Sequence, residues 1–512
     1  MAVTVAAARS SSRPLAAPRP PTSGALAIVV GVFVILGAFG GLSFVLPAQI
    51  GLVLAAGILL AIPWIWQAPV RGLYLVVGGA MMIEILPLRF PDSWTDRLPL
   101  FLNFNETGAA YGVGISPMEI LLLVMLLVCL VKVGSGALER PAGNVLTAYL
   151  IFVAALFVAE LVGLATGGDF NISLRELRPQ AYGFAAFLLA AILVRDRRHL
   201  VQLGTLVFVA VGTKAALADY RYFVTMARAI GGASWLRESV MSHEESYFYA
   251  ILLAAFVAML VWYRSRRRML AVLPISAITL VAMVENQRRA GIAAMVVMIA
   301  LVLVIAARHE RLLRGRIVAG GSVLVAILGG LSLFYTQSTG AIAQLVRPFR
   351  SMIDPSSRDL LSDLYRVAEN FNLSYTFHSS PLLGVGFGHP FLVILAQADI
   401  ASIYPLWNYI PHNTILWIGA KMGVIGFATF FALIGMVVLE GMSQVGTWRD
   451  PLLKTAAAVA VAVVVGEIVV GFSDVQLEVY RNMIVFGAAI GVLCALPRVP
   501  DAKVPDVKAA DA

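Results

Sequence analysis

The feature that most constrains this chain is a series of long apolar runs in which charge is almost absent, such as Ala25–Phe44 and Ala456–Val470. An α-helix rises 1.5 Å per residue, so about 20 predominantly apolar residues span the ~30 Å hydrocarbon core of a bilayer. The runs are continuous and do not alternate, which excludes a transmembrane β-barrel. Composition agrees: 60% of residues are hydrophobic and 13% charged, against about 45–50% and about 25% in soluble domains. A soluble enzyme is excluded. The expected fold is all-α, a polytopic transmembrane bundle of about 12–14 spans in 512 residues.

Apolar segments fall near residues 25–46, 48–66, 70–87, 115–134, 144–166, 177–194, 200–218, 246–263, 269–285, 290–307, 317–335, 413–440, 455–472 and 482–497. Residues 1–23 carry Arg9, Arg13 and Arg19, four prolines and no acid, so they read as a disordered basic cytoplasmic tail. Five regions follow: the tail 1–23, transmembrane helices one to eleven over 24–335, a large outer loop 336–411 carrying short helices, the last transmembrane helices over 412–497, and a cytoplasmic tail 498–512. If the first span runs outward, the basic connections Arg195-Asp-Arg-Arg198, Arg264-Ser-Arg-Arg-Arg268 and Arg308 to Arg316 face the cytoplasm. That satisfies the positive-inside rule and puts both termini inside. About 75 residues then separate Tyr335 from His412 on the outer face. A loop of that length is usually functional.

The net charge of +9 is scattered through short loops, which records orientation and does not imply nucleic acid. Cys129 and Cys494 lie in separate apolar segments and form no metal or disulfide pattern. None of the six histidines has a metal-ligand spacing such as HExxH.

Three outer elements can carry chemistry. Arg288 and Arg289, in Glu285-Asn-Gln-Arg-Arg-Ala-Gly291, stand at a hairpin between closely spaced spans, where Gly291 could nucleate the turn. Arginine donates two parallel hydrogen bonds to phosphate and stays charged. The same pair could instead cap the hairpin and bind lipid headgroups. The long loop supplies Arg347, Arg350, Arg358 and Arg366 among Asp354, Asp359, Asp363 and Glu369, a spacing that fits a solvated amphipathic helix with surface ion pairs. Next comes Ser380-Pro-Leu-Leu-Gly-Val-Gly-Phe-Gly388, whose Gly384, Gly386 and Gly388 permit close backbone approach to a ligand. Last, His412 and Asn413 follow Pro411 at the mouth of a span. A histidine there suits general-base chemistry near neutral pH, although an interfacial hydrogen-bonding role is the plainer account.

The order of these elements resembles the O-antigen ligase and O-antigen polymerase superfamily: Arg288-Arg-Ala-Gly, a large outer loop ending in Pro-Leu-Leu-Gly-Val-Gly-Phe-Gly, then His412-Asn413, nine residues and Gly423-x-x-Gly426. The resemblance covers about residues 285–435. It implies a metal-independent, inverting membrane glycosyltransferase that needs no cofactor, works at the outer face of the bacterial cytoplasmic membrane, and takes its glycan from undecaprenyl pyrophosphate to a glycan or lipid acceptor. By that likeness arginines hold the pyrophosphate and the histidine activates the acceptor hydroxyl. Arg289 best matches the first family arginine, with Arg288 its neighbour. Arg366 is favoured for the loop arginine, with Arg347, Arg350 and Arg358 open. Two features depart from the family: Ala293 stands where ligases often have leucine, and about fourteen spans exceed the usual twelve. Ligase and polymerase both stay open.

Two other readings compete. A transporter or flippase of lipid-linked glycans would use Glu160, Lys214 and Glu467, ionisable residues inside predicted spans, although matching broken helices in two halves are not evident. A metal-dependent transferase would use Asp92 and Asp96, an acidic pair on an outer loop.

Overall fold

The computed structural model describes residues 50–85, 95, 98–107, 114–226, 240–263, 265–310, 357–402 and 404–501, with isolated positions between 312 and 354. The predicted first span 25–46, most of 317–335, both tails beyond Asp501 and before Ile50, and the Asp92/Asp96 pair lie outside the described residues.

Among the described residues the fold is entirely helical. The helices are α1 (Ile50–Leu60), α2 (Ile62–Gln67), α3 (Val70–Met82), α4 (Pro117–Gly134), α5 (Asn144–Ala165), α6 (Phe170–Leu193), α7 (Arg197–Tyr220), α8 (His243–Trp262), α9 (Arg266–Glu285), α10 (Arg289–His309), α11 (Ser357–Ser379), α12 (Thr414–Val445), α13 (Pro451–Gly471) and α14 (Tyr480–Ala495). Eight of them, α4, α5, α7, α8, α10, α12, α13 and α14, are long and apolar enough to cross a membrane, and α1, α3 and Met269–Glu285 are shorter apolar helices. The chain is a polytopic helical membrane bundle.

Local chemistry sets several boundaries. Ser116 and Glu119 form a capping box that opens α4. Asp169 caps α6 by accepting from Asn171 and Ile172, which starts that helix well before the apolar segment predicted from 177. Pro63 divides the predicted second span into α1 and α2.

Burial separates centre from rim. In α8 and α14, 72% of the apolar window is buried, and in α13 61%, against 33–39% in α4, α5, α7, α10 and α12. The first three are therefore core helices. Helix α6 packs along α14 so closely that a side chain at Gly487 would overlap the Gly183 carbonyl, as small residues permit when no water drives helices together.

Buried charges tie the same helices. Lys214 on α7 pairs with Glu84 and reaches Glu245 at 3.7 Å, while Arg481 on α14 bonds Glu245 at 2.7 Å. Glu160 accepts from Ser173 at 2.8 Å, and Glu467 faces the Asn482 amide at 3.3 Å. Each ionisable residue that suggested transport thus has a partner within the bundle.

Helix α11 differs from expectation. Its Leu373 packs with Ala420 of α12 and Phe391, but Leu360, Leu364, Val367, Phe371 and Tyr375 form a second, exposed apolar stripe at helical spacing. That is not the surface of a helix bathed only in water.

Candidate functional site

The ends of α9 and α13 and the starts of α8, α10, α12 and α14 meet on one side of the bundle, beneath α11. The α9–α10 hairpin is nailed to α8: Asn286 accepts from the Met241 N–H at 2.9 Å and donates to Ser242 O at 3.2 Å and Ser246 Oγ at 2.7 Å. Gln287 turns the chain with φ +51°, a conformation that costs a non-glycine residue about 1–3 kcal/mol and clusters at functional sites. Gly291 does not form the turn. It lets α10 approach Ser246 of α8.

This anchoring aims Arg288 and Arg289 into a cavity of about 480 Å³ whose wall also holds Arg347, Arg366, Asp359, Asp363, Asn370, His243 and Asp474. Asp359, Asp363, Arg366 and Asn370 come from one face of α11, at the i, i+4, i+7, i+11 spacing of a helix. Arg289 donates to both carboxylate oxygens of Asp363, at 3.2 and 2.9 Å, and Arg366 lies 3.9 Å from the same carboxylate. Four arginines, Arg288, Arg289, Arg347 and Arg366, and three aspartates, Asp359, Asp363 and Asp474, line the cavity, and arginine side chains are suited to bidentate contact with oxyanions. Among the described residues no group of three or more His, Cys, Asp or Glu side chains is placed to hold a metal ion.

His412 stands beside this cavity. Glu369, 1% exposed at its side chain, takes the His412 backbone N–H at 2.9 Å and lies 3.1 Å from the ring Nδ1. One buried carboxylate therefore fixes both the position and the rotation of the ring, leaving Nε2 as the nitrogen for other chemistry. Tyr365 meets the ring edge-on at 5.6 Å. Burial, and then the charges of Glu369 and Asp399, push the Tyr365 hydroxyl upward, so that residue is a neutral neighbour. Asn413 is a structural N-cap: its side chain accepts from the Leu416 N–H at 3.0 Å and donates to Asn370 at 3.0 Å.

The remaining candidates fall elsewhere. Arg350 pairs along its own segment with Asp354 at 3.9 Å, and the Arg358 side chain lies outside the described residues. Gly384, Gly386 and Gly388 all have positive φ, and they approach backbone of the chain itself: Lys421, Gly163 and Asp169 respectively. Helix α12 breaks at Gly423 (φ +63°), and residues 381–386 lodge in that break through Val424 N–H to Pro381 O, Val385 N–H to Ala420 O and Gly386 N–H to Lys421 O. Glu176 of α6 seals the unit, 2.5 Å from Lys421 Nζ and accepting the Gly388 N–H at 2.6 Å. The two glycine motifs are thus one interlocked unit.

Sequence reasoning read Glu369 as one of the acids of a solvated helix and passed over Asn370, His243 and Asp474 as site residues. For Asn370 the helical spacing from Asp359 was the available signal. His243 and Asp474 come from distant segments, and nothing local marks them as partners. A larger cavity, about 630 Å³ and apolar, opens at the opposite ends of α7, α8, α13 and α14, lined by residues such as Leu203, Met259, Val459 and Val492. It is remote from these groups.

Residues 274–431 match the family model for O-antigen ligase. The matched stretch runs from Pro274 in α9 to Phe431 in α12, and so contains Arg288, Arg289, α11, the glycine unit and His412. No curated protein matches the chain. The match to the O-antigen ligase family model thus supports the O-antigen ligase superfamily for residues 274–431, the stretch that carries the arginine hairpin, α11, the glycine unit and His412.

Proposed function

We propose that the protein transfers a glycan from an undecaprenyl-pyrophosphate-linked donor to an acceptor hydroxyl in cell-surface polysaccharide synthesis, at the outer face of the bacterial cytoplasmic membrane, with both termini in the cytoplasm. The observation that carries this reading is the convergence of Arg288, Arg289, Arg347 and Arg366 on one cavity beside the Glu369-held His412. The acceptor oxygen attacks the anomeric carbon from the face opposite the pyrophosphate, so configuration inverts. The new C–O bond forms as the old one breaks, the hydroxyl proton passes to His412, and the electron pair leaves on undecaprenyl pyrophosphate. Guanidinium groups fixed where that charge develops stabilise the transition state most, and they take the place a metal ion would otherwise fill. A base in hydrogen-bond reach of the hydroxyl contributes about 10²–10⁴ in rate.

The test is transfer by purified protein in detergent with chelator present, from undecaprenyl-pyrophosphate oligosaccharide to lipid A-core and to a second lipid-linked repeat. Wild type should release undecaprenyl pyrophosphate and lengthen one acceptor, while Arg289→Ala and His412→Ala fold but fail. The acceptor that grows separates a lipopolysaccharide ligase from a polymerase. Movement of the lipid across liposomes without bond cleavage supports a flippase and removes the transferase reading.

A further inference from the structure

The cavity holds a second histidine–carboxylate pair. His243, the first residue of α8, directs its Nδ1 onto Asp474, which lies between α13 and the 3₁₀ turn Gln476–Glu478, and both line the arginine cavity. The Asp474 side chain is 9% exposed and the His243 side chain 42%, so the carboxylate is fixed in the wall while the ring reaches the cavity space. Asp474 also accepts the Val475 N–H at 2.9 Å. Burial pushes the Asp474 carboxyl upward, but the facing His243 ring and this N–H outweigh it and hold the carboxyl below the usual carboxylate range.

The orientation of the ring follows from its neighbours. The charged groups that line the cavity with His243 are the four arginines, the two α11 aspartates and Asp474; Glu244 is its neighbour on α8, His412 also acts on Asp474, and Glu467 lies within electrostatic reach of Asp474 and Glu244. Arg289 and Arg366 are already engaged by Asp363, which leaves Asp474 as the anion in contact with the imidazole. A fixed carboxylate at Nδ1 orients the ring and leaves Nε2 as the nitrogen free for chemistry in the cavity that His243 lines.

We propose that His243 is a second catalytic residue of this site, an acid that serves the leaving group while His412 serves the acceptor, with Asp474 as its positioning residue. This rests on the transferase reading. As the bond from the anomeric carbon to the pyrophosphate oxygen breaks, that oxygen gains the electron pair and takes the Nε2 proton of His243. The acceptor hydroxyl proton goes to His412. The two rings exchange roles of charge in each turnover and are reset through solvent.

The experiment follows the rate of transfer from undecaprenyl-pyrophosphate oligosaccharide against pH for the full-length protein in nanodiscs, as wild type, His243→Gln, His243→Ala and Asp474→Asn. His243→Gln should lower kcat about 10²-fold, leave donor KM within about twofold, and abolish the fall in rate on the alkaline side. Imidazole added to His243→Ala should restore part of the rate. Asp474→Asn should lower kcat with donor KM retained. Wild-type transfer with an unchanged alkaline limb in His243→Gln, or a loss confined to donor KM, overturns the acid role and leaves the transferase reading standing. A wild type that transfers nothing overturns both.

Discussion

Asp363 accepts from both terminal nitrogens of the Arg289 guanidinium, at 2.9 and 3.2 Å, so α11 is tied to the start of α10 by the side chain proposed to hold pyrophosphate. The pair is partly exposed, with side chains 23% and 40% accessible, and such pairs contribute only about 0.2–1 kcal/mol. A pyrophosphate can displace a carboxylate held that loosely. Asp363→Asn should tighten binding of undecaprenyl pyrophosphate, by up to about fivefold on that range. Arg289→Ala should weaken it about tenfold or more, the worth of a charge-assisted hydrogen bond. Microscale thermophoresis in detergent reads both, and opposite signs for the two variants are the expected signature.

Glu369 holds His412 at two points, the backbone N–H and the ring Nδ1. Glu369→Gln keeps the size but loses the anion that orients the ring. We expect kcat to fall on the order of 10²-fold with donor affinity unchanged, as steady-state kinetics at varied donor will show. Equal effects on kcat and on donor binding would make Glu369 merely a prop for α11.

The interlocked glycine unit is a stability element. A Cβ at Gly384 would overlap the Lys421 backbone at a φ of +72° that side chains rarely adopt. Gly384→Ala should destabilise the protein by at least about 2 kcal/mol, seen as a lower melting temperature in a fluorescence-detected thermal scan. Leu382→Ala, at a site 68% exposed, should leave the melting temperature nearly unchanged.

Lys214 and Glu84 test whether buried charge inside the bundle is structural. Lys214→Met alone strands Glu84 and should cost about 3–5 kcal/mol, whereas the double change Lys214→Met with Glu84→Leu should recover most of it. Glycan transfer by the double variant should match wild type. A stable double variant without transfer would instead make the pair functional.

Hydropathy made the bundle legible, because a bilayer imposes length and apolarity on every crossing helix. Motif order singled out the arginine pair and His412, and the structure puts both arginines in the wall of one cavity. What escaped was partnership across the fold. The stripe from Asp359 to Asn370 was visible, but its acids and bases satisfied each other on paper and so resembled a solvated face, when in the structure it lines the cavity. The three glycines announced close approach without saying to what, and their neighbour is the broken helix α12. His243 gave no local hint at all, since its partner Asp474 is supplied by a distant connection.

Arg481 has a consequence for how the chain is made. It is the second residue of α14, yet its guanidinium serves Glu245 on α8 and the carbonyls of Ala80 and Met81 at the end of α3. Among the described residues that precede Arg481, the cation Lys214 lies 3.7 Å from Glu245 and is also paired with Glu84. Until α14 arrives, that carboxylate is poorly neutralised in a medium where lone charges are costly. The arrival of α14 thus closes the bundle like a keystone, with one guanidinium joining α3 to α8.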